Sequence, residues 1–143
     1  MKAKRCGGTE AQKRFVVVLS TGDEVSAALK EFAGAQRVTG HFTAVGAVQR
    51  ATIAFWDPAT REYRNTEMPQ QMEVLALTGN IATTRGAPKI HAHITFGLPD
   101  GRAVGGHLVQ AWVRPTVEIF FTEAVPALER AKDEQTGLDL LKL

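Results

Sequence analysis

The stretch from His91 to Leu108 leaves the chain little choice of local fold. Ile94 and Phe96, then Val104 and Leu108, occupy one side of two short runs separated by Leu98-Pro99-Asp100-Gly101-Arg102. That connection suits a three-residue hairpin loop, in which proline pre-sets the first turn position and glycine takes the left-handed position of a bulge. If Leu98 pairs with Arg102, counting back along both strands sets His93 opposite His107. Alternation along a strand puts His91 on the same face as His93. Opposed residues hold their Cβ atoms about 4.5–5.5 Å apart. Three of the four histidines therefore converge on one face, among Thr95, Ala103 and Gly105. A one-residue slip would send His107 to the other face, so the convergence depends on the turn.

Neutral imidazole is a good ligand for zinc and other late divalent metals, with bonds of about 2.0–2.1 Å. Three histidines and a water make the open tetrahedral arrangement by which zinc enzymes acidify water. The competing reading is plain: strand histidines also face solvent, and an i, i+2 pair alone arises without a metal. His41 lies in a separate strand and reads as a polar residue flanking a turn.

The rest of the chain narrows the chemistry. Ser20 and Ser26 are the only serines and fall at or in the first helix, outside any Gly-x-Ser-x-Gly elbow. Gly105-Gly106 lacks the further glycine and lysine of a phosphate loop. Glu73 and Glu118 sit in apolar strands; either is a candidate acceptor for a ligand imidazole N–H or a general base. An outward-facing position is favoured for Glu118. Cys6 is the only cysteine, which excludes an internal disulfide and fits a reducing, cytoplasmic setting. A net charge of +2 with scattered Lys and Arg presents no basic stripe. Lys2, Lys4 and Arg5 read as a solvated terminus. No apolar run reaches membrane-spanning length, and the first residues lack the apolar core of a signal peptide.

A length of 143 residues with 44% apolar content is one domain's worth of core. Phe15–Leu19 reads as a strand. Thr21 and Glu24 have capping-box spacing, and Val25, Ala28, Leu29 and Phe32 follow at helical period, with Gly34 a plausible stop. Strands are predicted over Thr39–Val48, Arg50–Trp56, Glu62–Met68, Met72–Leu77, Ala111–Arg114 and Thr116–Thr122. Pro126 opens a second predicted helix to about Gln135. The expected fold class is α+β: one domain with a mainly antiparallel central sheet flanked by a few helices.

The ordered series Glu73-Val74-Leu75-Ala76-Leu77-Thr78-Gly79-Asn80-Ile81, His91-Ala92-His93, and Asp100-Gly101 through Gly105-Gly106-His107-Leu108 resembles the PPC (plants and prokaryotes conserved) domain. Arg114-Pro115-Thr116-Val117-Glu118 and Thr136-Gly137-Leu138 are similar to bacterial members. The resemblance spans residues 12–143 and leaves 1–11 as a flexible N-terminus. It implies a homotrimer and a divalent metal, commonly zinc, held by His91, His93 and His107, with Glu73 a candidate outer-sphere group. An apolar sheet face such as one holding Trp112, Ile119 and Phe121 would give the trimer a physical basis. In plants the domain accompanies an AT-hook that contacts DNA. Here the nearest match to its Arg-Gly-Arg-Pro core, Arg85-Gly86-Ala87-Pro88, lacks the second arginine. A DNA-associated or regulatory role is thus a weaker expectation. The alternative is a small hydrolase-like enzyme using a metal-bound water. Neither the substrate nor a small-molecule ligand is specified.

Overall fold

Apolar residues at alternate positions build the sheet, and one amphipathic helix covers it. The computed structural model describes residues 1–10 and 12–142; Ala11, at the expected junction of tail and domain, and Leu143 lie outside the described residues. The strands are β1 (Lys2–Gly8), β2 (Lys13–Ser20), β3 (Gly40–Asp57), β4 (Glu62–Met68), β5 (Met72–Thr84), β6 (Ala87–Gly97), β7 (Ala103–Glu123), β8 (Glu129–Lys132) and β9 (Asp139–Lys142), with α1 at Val25–Gln36. The order is β1-β2-β7-β3-β5-β8-β9, with β4 on β3 and β6 joining β5 to β7. Since β3 pairs with both β5 and β7, the circuit β3–β5–β6–β7 closes on itself. Every pairing is antiparallel except the single bridge between Thr83 of β5 and Glu129 of β8.

Phe15, Val17 and Leu19 of β2, and Val117, Ile119 and Phe121 of β7, turn inward and are fully or almost fully buried. Helix α1 lays Val25, Ala28, Leu29, Phe32 and Ala33 against them, the i, i+3, i+4, i+7, i+8 stripe of a core-facing helix. Phe32 meets the rings of Phe15 and Phe121 edge-on, with centroids 5.2 and 5.3 Å away. Ile94 and Phe96 of β6 belong to the same core, which leaves the opposite face of β6 for its histidines.

Several sequence expectations are corrected. The helix does not stop at Gly34; it ends at Gln36, where Arg37 adopts the left-handed conformation (φ 53°) and the Val38 N–H closes onto the Ala33 carbonyl. Glu24 is itself the N-cap rather than the inner member of a box begun by Thr21. Its Oε1 accepts from the N–H groups of Ser26 and Ala111 at 3.0 Å each, and Oε2 accepts from that of Ala27 at 2.7 Å. One carboxylate thus caps the helix and ties it to β7. Glu24→Ala is expected to cost about 2 kcal/mol, measured as a shift in the urea midpoint, because three amide donors lose their acceptor.

The predicted second helix is absent: α1 is the only helix among the described residues, and β8 occupies the middle of that segment. Lys2–Gly8, expected as a tail, is hydrogen-bonded along β2 as an exposed edge strand. Lysines on an edge suit that role, because charge discourages pairing with another chain. The two predicted strands on either side of Gln49 are one strand, β3, and the two on either side of Pro115 are one strand, β7.

Candidate metal centre

The histidine hairpin has the register that its turn chemistry predicts. The Leu98 N–H donates to the Arg102 carbonyl and the Gly101 N–H to the Leu98 carbonyl, each at 2.9 Å, with Gly101 at φ 82°. From that closure the ladder runs Gly97–Ala103, Phe96–Val104, Thr95–Gly105, Ile94–Gly106 and His93–His107. The small residues around the imidazoles serve the backbone. A Cβ on Gly105 would stand 2.5 Å from the Ile94 carbonyl oxygen, so the close approach at this glycine comes from β6 itself.

His91, His93 and His107 each bring a ring nitrogen to one place, all within 4.8 Å of one another. The ring centroids are 5.3 Å apart for His91–His93 and His91–His107, and 5.6 Å for His93–His107. A tetrahedral ion with bonds of about 2.0–2.1 Å spaces its ligand nitrogens about 3.3–3.4 Å apart. Burial pushes the His107 pKa down to about 4, with the His91 and His93 charges acting in the same direction. Burial also lowers His91, helped by the charges of Arg130 and His93. At neutral pH the His107 ring is therefore uncharged, the form that coordinates a metal. His107 Nδ1 is buried without a hydrogen-bond partner. An unsatisfied buried nitrogen is costly unless something outside the protein completes it.

The remaining candidates are placed apart from this cluster. His41 is exposed on β3, opposite Asn80 of β5, which in turn stands opposite His91, and it is no member of the cluster. Glu73 faces Gly97, whereas His93 faces Thr78. Five residues of strand separate the two β5 positions, about 17 Å. Glu118 is exposed between Val18 and Val45.

Two other residues complete the surroundings. Tyr63 of β4 stacks on His107 with centroids 4.7 Å apart and planes 28° from parallel. Arg130 of β8 shares with Tyr63, His91 and His107 a cleft of about 150 Å³. The sequence offered a weak signal for Tyr63, a lone tyrosine on a strand of polar residues. It offered none for Arg130, whose local pattern suggests a helix.

Comparison with solved structures places this fold among known proteins. A metal-containing protein from Archaeoglobus fulgidus is 31% identical with a TM-score of 0.84, covering 100% of this chain and 99% of that one. A Bacteroides thetaiotaomicron protein, provisionally named a DNA-binding protein, is 27% identical with a TM-score of 0.91 over 99% of this chain and 96% of that one. The plant- and prokaryote-conserved (PPC) protein of Pyrococcus horikoshii is 26% identical with a TM-score of 0.85, over 91% of each chain. No curated protein matches significantly in sequence. The profile of the Plants and Prokaryotes Conserved (PCC) domain matches residues 7–125. With its hairpin, its sheet and its ordered motifs all in agreement, the chain belongs to the PPC domain family.

Proposed function

We propose that this chain is a metal-binding PPC protein in which His91, His93 and His107 hold a divalent ion, zinc by the chemistry of the donors. The observation that carries this reading is the approach of three imidazole nitrogens to within 4.8 Å on one face of a hairpin. An all-imidazole set suits zinc and its neighbours over magnesium or calcium, which require oxygen. Such an ion, when bound, supplies a Lewis acid with room for a further ligand. The protein's part is to hold the rings in place: the hairpin sets His93 against His107, and Tyr63 stacks on His107. The name of the Archaeoglobus relative is consistent with it. Metal analysis of protein purified without chelators should find close to one zinc per chain. No metal, together with no saturable zinc uptake on titration, would sink the proposal.

The assembly belongs to the same reading. The apolar face expected for trimer contact changes: Ile119 and Phe121 are buried in the core, and Arg50 Cζ lies over the Trp112 ring, 3.8 Å from the ring centroid. The outer face instead exposes Val45 (53%), Leu75 (53%) and Phe120 (56%), which line one shallow cleft with Thr43 and Thr78. Contiguous exposed apolar residues of this kind mark contact surfaces, and a homotrimer is the occupant the family resemblance implies. Light scattering should give the mass of three chains for the natural protein and of one for Phe120→Asp. A natural protein that is monomeric at micromolar concentration rejects the trimer.

A DNA-associated role draws on the provisional name of the Bacteroides relative and on exposed Lys2, Lys4 and Arg5 along β1. Gel shift at near-physiological salt tests it: phosphate contacts give an affinity that falls steeply as salt rises, and absence of binding even at low salt removes the role. Among the described residues no helix is long and apolar enough to cross a membrane.

A further inference from the structure

The cleft beside the histidines brings two kinds of chemistry together. His91, His107 and Arg130 all line it. Arg130 is only 9% exposed. Its Nη1 donates to the Asp139 carbonyl at 2.8 Å and its Nη2 to Asn80 Oδ1 at 2.6 Å, both neutral acceptors. Its Nε is buried with no partner. A guanidinium has five N–H donors, and among the described residues two of them find an acceptor. The nearby carboxylate of Asp139 is engaged by Lys89 instead. Among the described residues no carboxylate touches Arg130.

A buried charge without a contacting counter-charge is unfavourable unless a ligand completes it. The wider field has the same sign. Arg85 and Lys132 line a second cleft on Arg130, which contains Asp139 as its acidic residue. In the first cleft, Ile90, Leu138 and Leu140 supply an apolar wall. A buried cation, an apolar wall and metal ligands lining one cleft describe a receptor for a small molecule with an anionic head and a carbon body. An extended polyanion would leave the apolar wall unused.

We propose that this cleft binds a small organic carboxylate, its carboxylate on Arg130 and its body against Ile90, Leu138 and Leu140, beside the histidine centre. The inference rests on the reading of the three histidines as metal ligands. Zinc-loaded full-length protein, its zinc content measured in the same sample, is titrated calorimetrically with benzoate, with the neutral isostere benzamide and with inorganic phosphate. Benzoate should bind saturably and at least tenfold more tightly than either. Arg130→Gln should weaken benzoate at least tenfold and leave zinc content unchanged. Because Arg130 also links β8 to β5 and β9, a second variant is needed: Leu140→Trp fills the cleft without removing the guanidinium or any histidine, and should weaken benzoate equally.

A sample that takes up no zinc overturns the metal reading and the inference with it. A zinc-loaded sample that fails to bind benzoate, or binds benzamide as well, overturns the inference alone. So does benzoate binding unchanged in both variants. Arg130-dependent binding of phosphate in preference to benzoate overturns the carboxylate assignment.

Discussion

His93→Ala is expected to lower zinc affinity roughly a hundredfold or more while leaving the fold intact. Four-ligand structural zinc sites release about 10–16 kcal/mol, or about 3 kcal/mol per ligand, which converts to roughly a hundredfold. The remaining His91 and His107 belong to different strands and would have to share the ion with solvent. Stability should change little. His93 is exposed, while its neighbours Ala92 and Ile94 carry the packing at 3% and 2% exposure. Surface substitutions of this kind stay within about 0.5 kcal/mol. Competition against a chromophoric chelator reads the affinity, and urea unfolding of the metal-free variant reads the stability. His41→Ala is the control, since this exposed histidine stands outside the cluster and should leave zinc uptake unchanged. Equal affinity in His93→Ala and the natural protein would mean that the ion, if any, is held elsewhere.

Phe32→Ala should have the opposite profile, with a large loss of stability and no loss of metal affinity in the folded fraction. Truncating a buried phenylalanine costs about 3–5 kcal/mol, a large part of the roughly 5–15 kcal/mol that holds a domain folded. Phe32 is 1% exposed and joins α1 to the sheet through both Phe15 and Phe121. Each edge-on aromatic pair adds about 0.5–1.5 kcal/mol beyond its area. His91 and His93 project from the face of β6 opposite Ile94 and Phe96, which share the core with Phe32, and His107 of β7 faces His93, so zinc uptake below the unfolding transition should be unchanged. A stability loss under about 1 kcal/mol would show that the helix does not close this core.

The two predictions separate what was legible in the residues from what was not. The hairpin could be read because its determinants are local. Pro99 and Gly101 specify the turn, and the apolar residues at 94, 96, 104 and 108 specify the inward face. The His93–His107 register follows by counting. The segment after Pro126 shows the opposite situation. Ala127-Leu128-Glu129-Arg130-Ala131-Lys132 has good helix formers, yet Glu129–Lys132 pairs as a strand with Asp139–Lys142 and touches β5 at Thr83. Helix propensities of a few tenths of a kcal/mol per residue yield to such pairing. Glu73 illustrates the same point. Its strand can be read locally, but its distance from the histidines depends on how β5 registers against β6.

From its sequence alone this protein determined a hairpin that gathers three imidazoles, because turn chemistry and a period of two act over neighbouring residues. The cleft beside them was decided only in three dimensions. Tyr63 reaches His107 because β4 folds back on β3, and Arg130 reaches the same space because β8 meets β5 at Thr83, beyond the last β3 pairing at Ile81. Those contacts join segments tens of residues apart, and no local rule of turn or alternation carries that information.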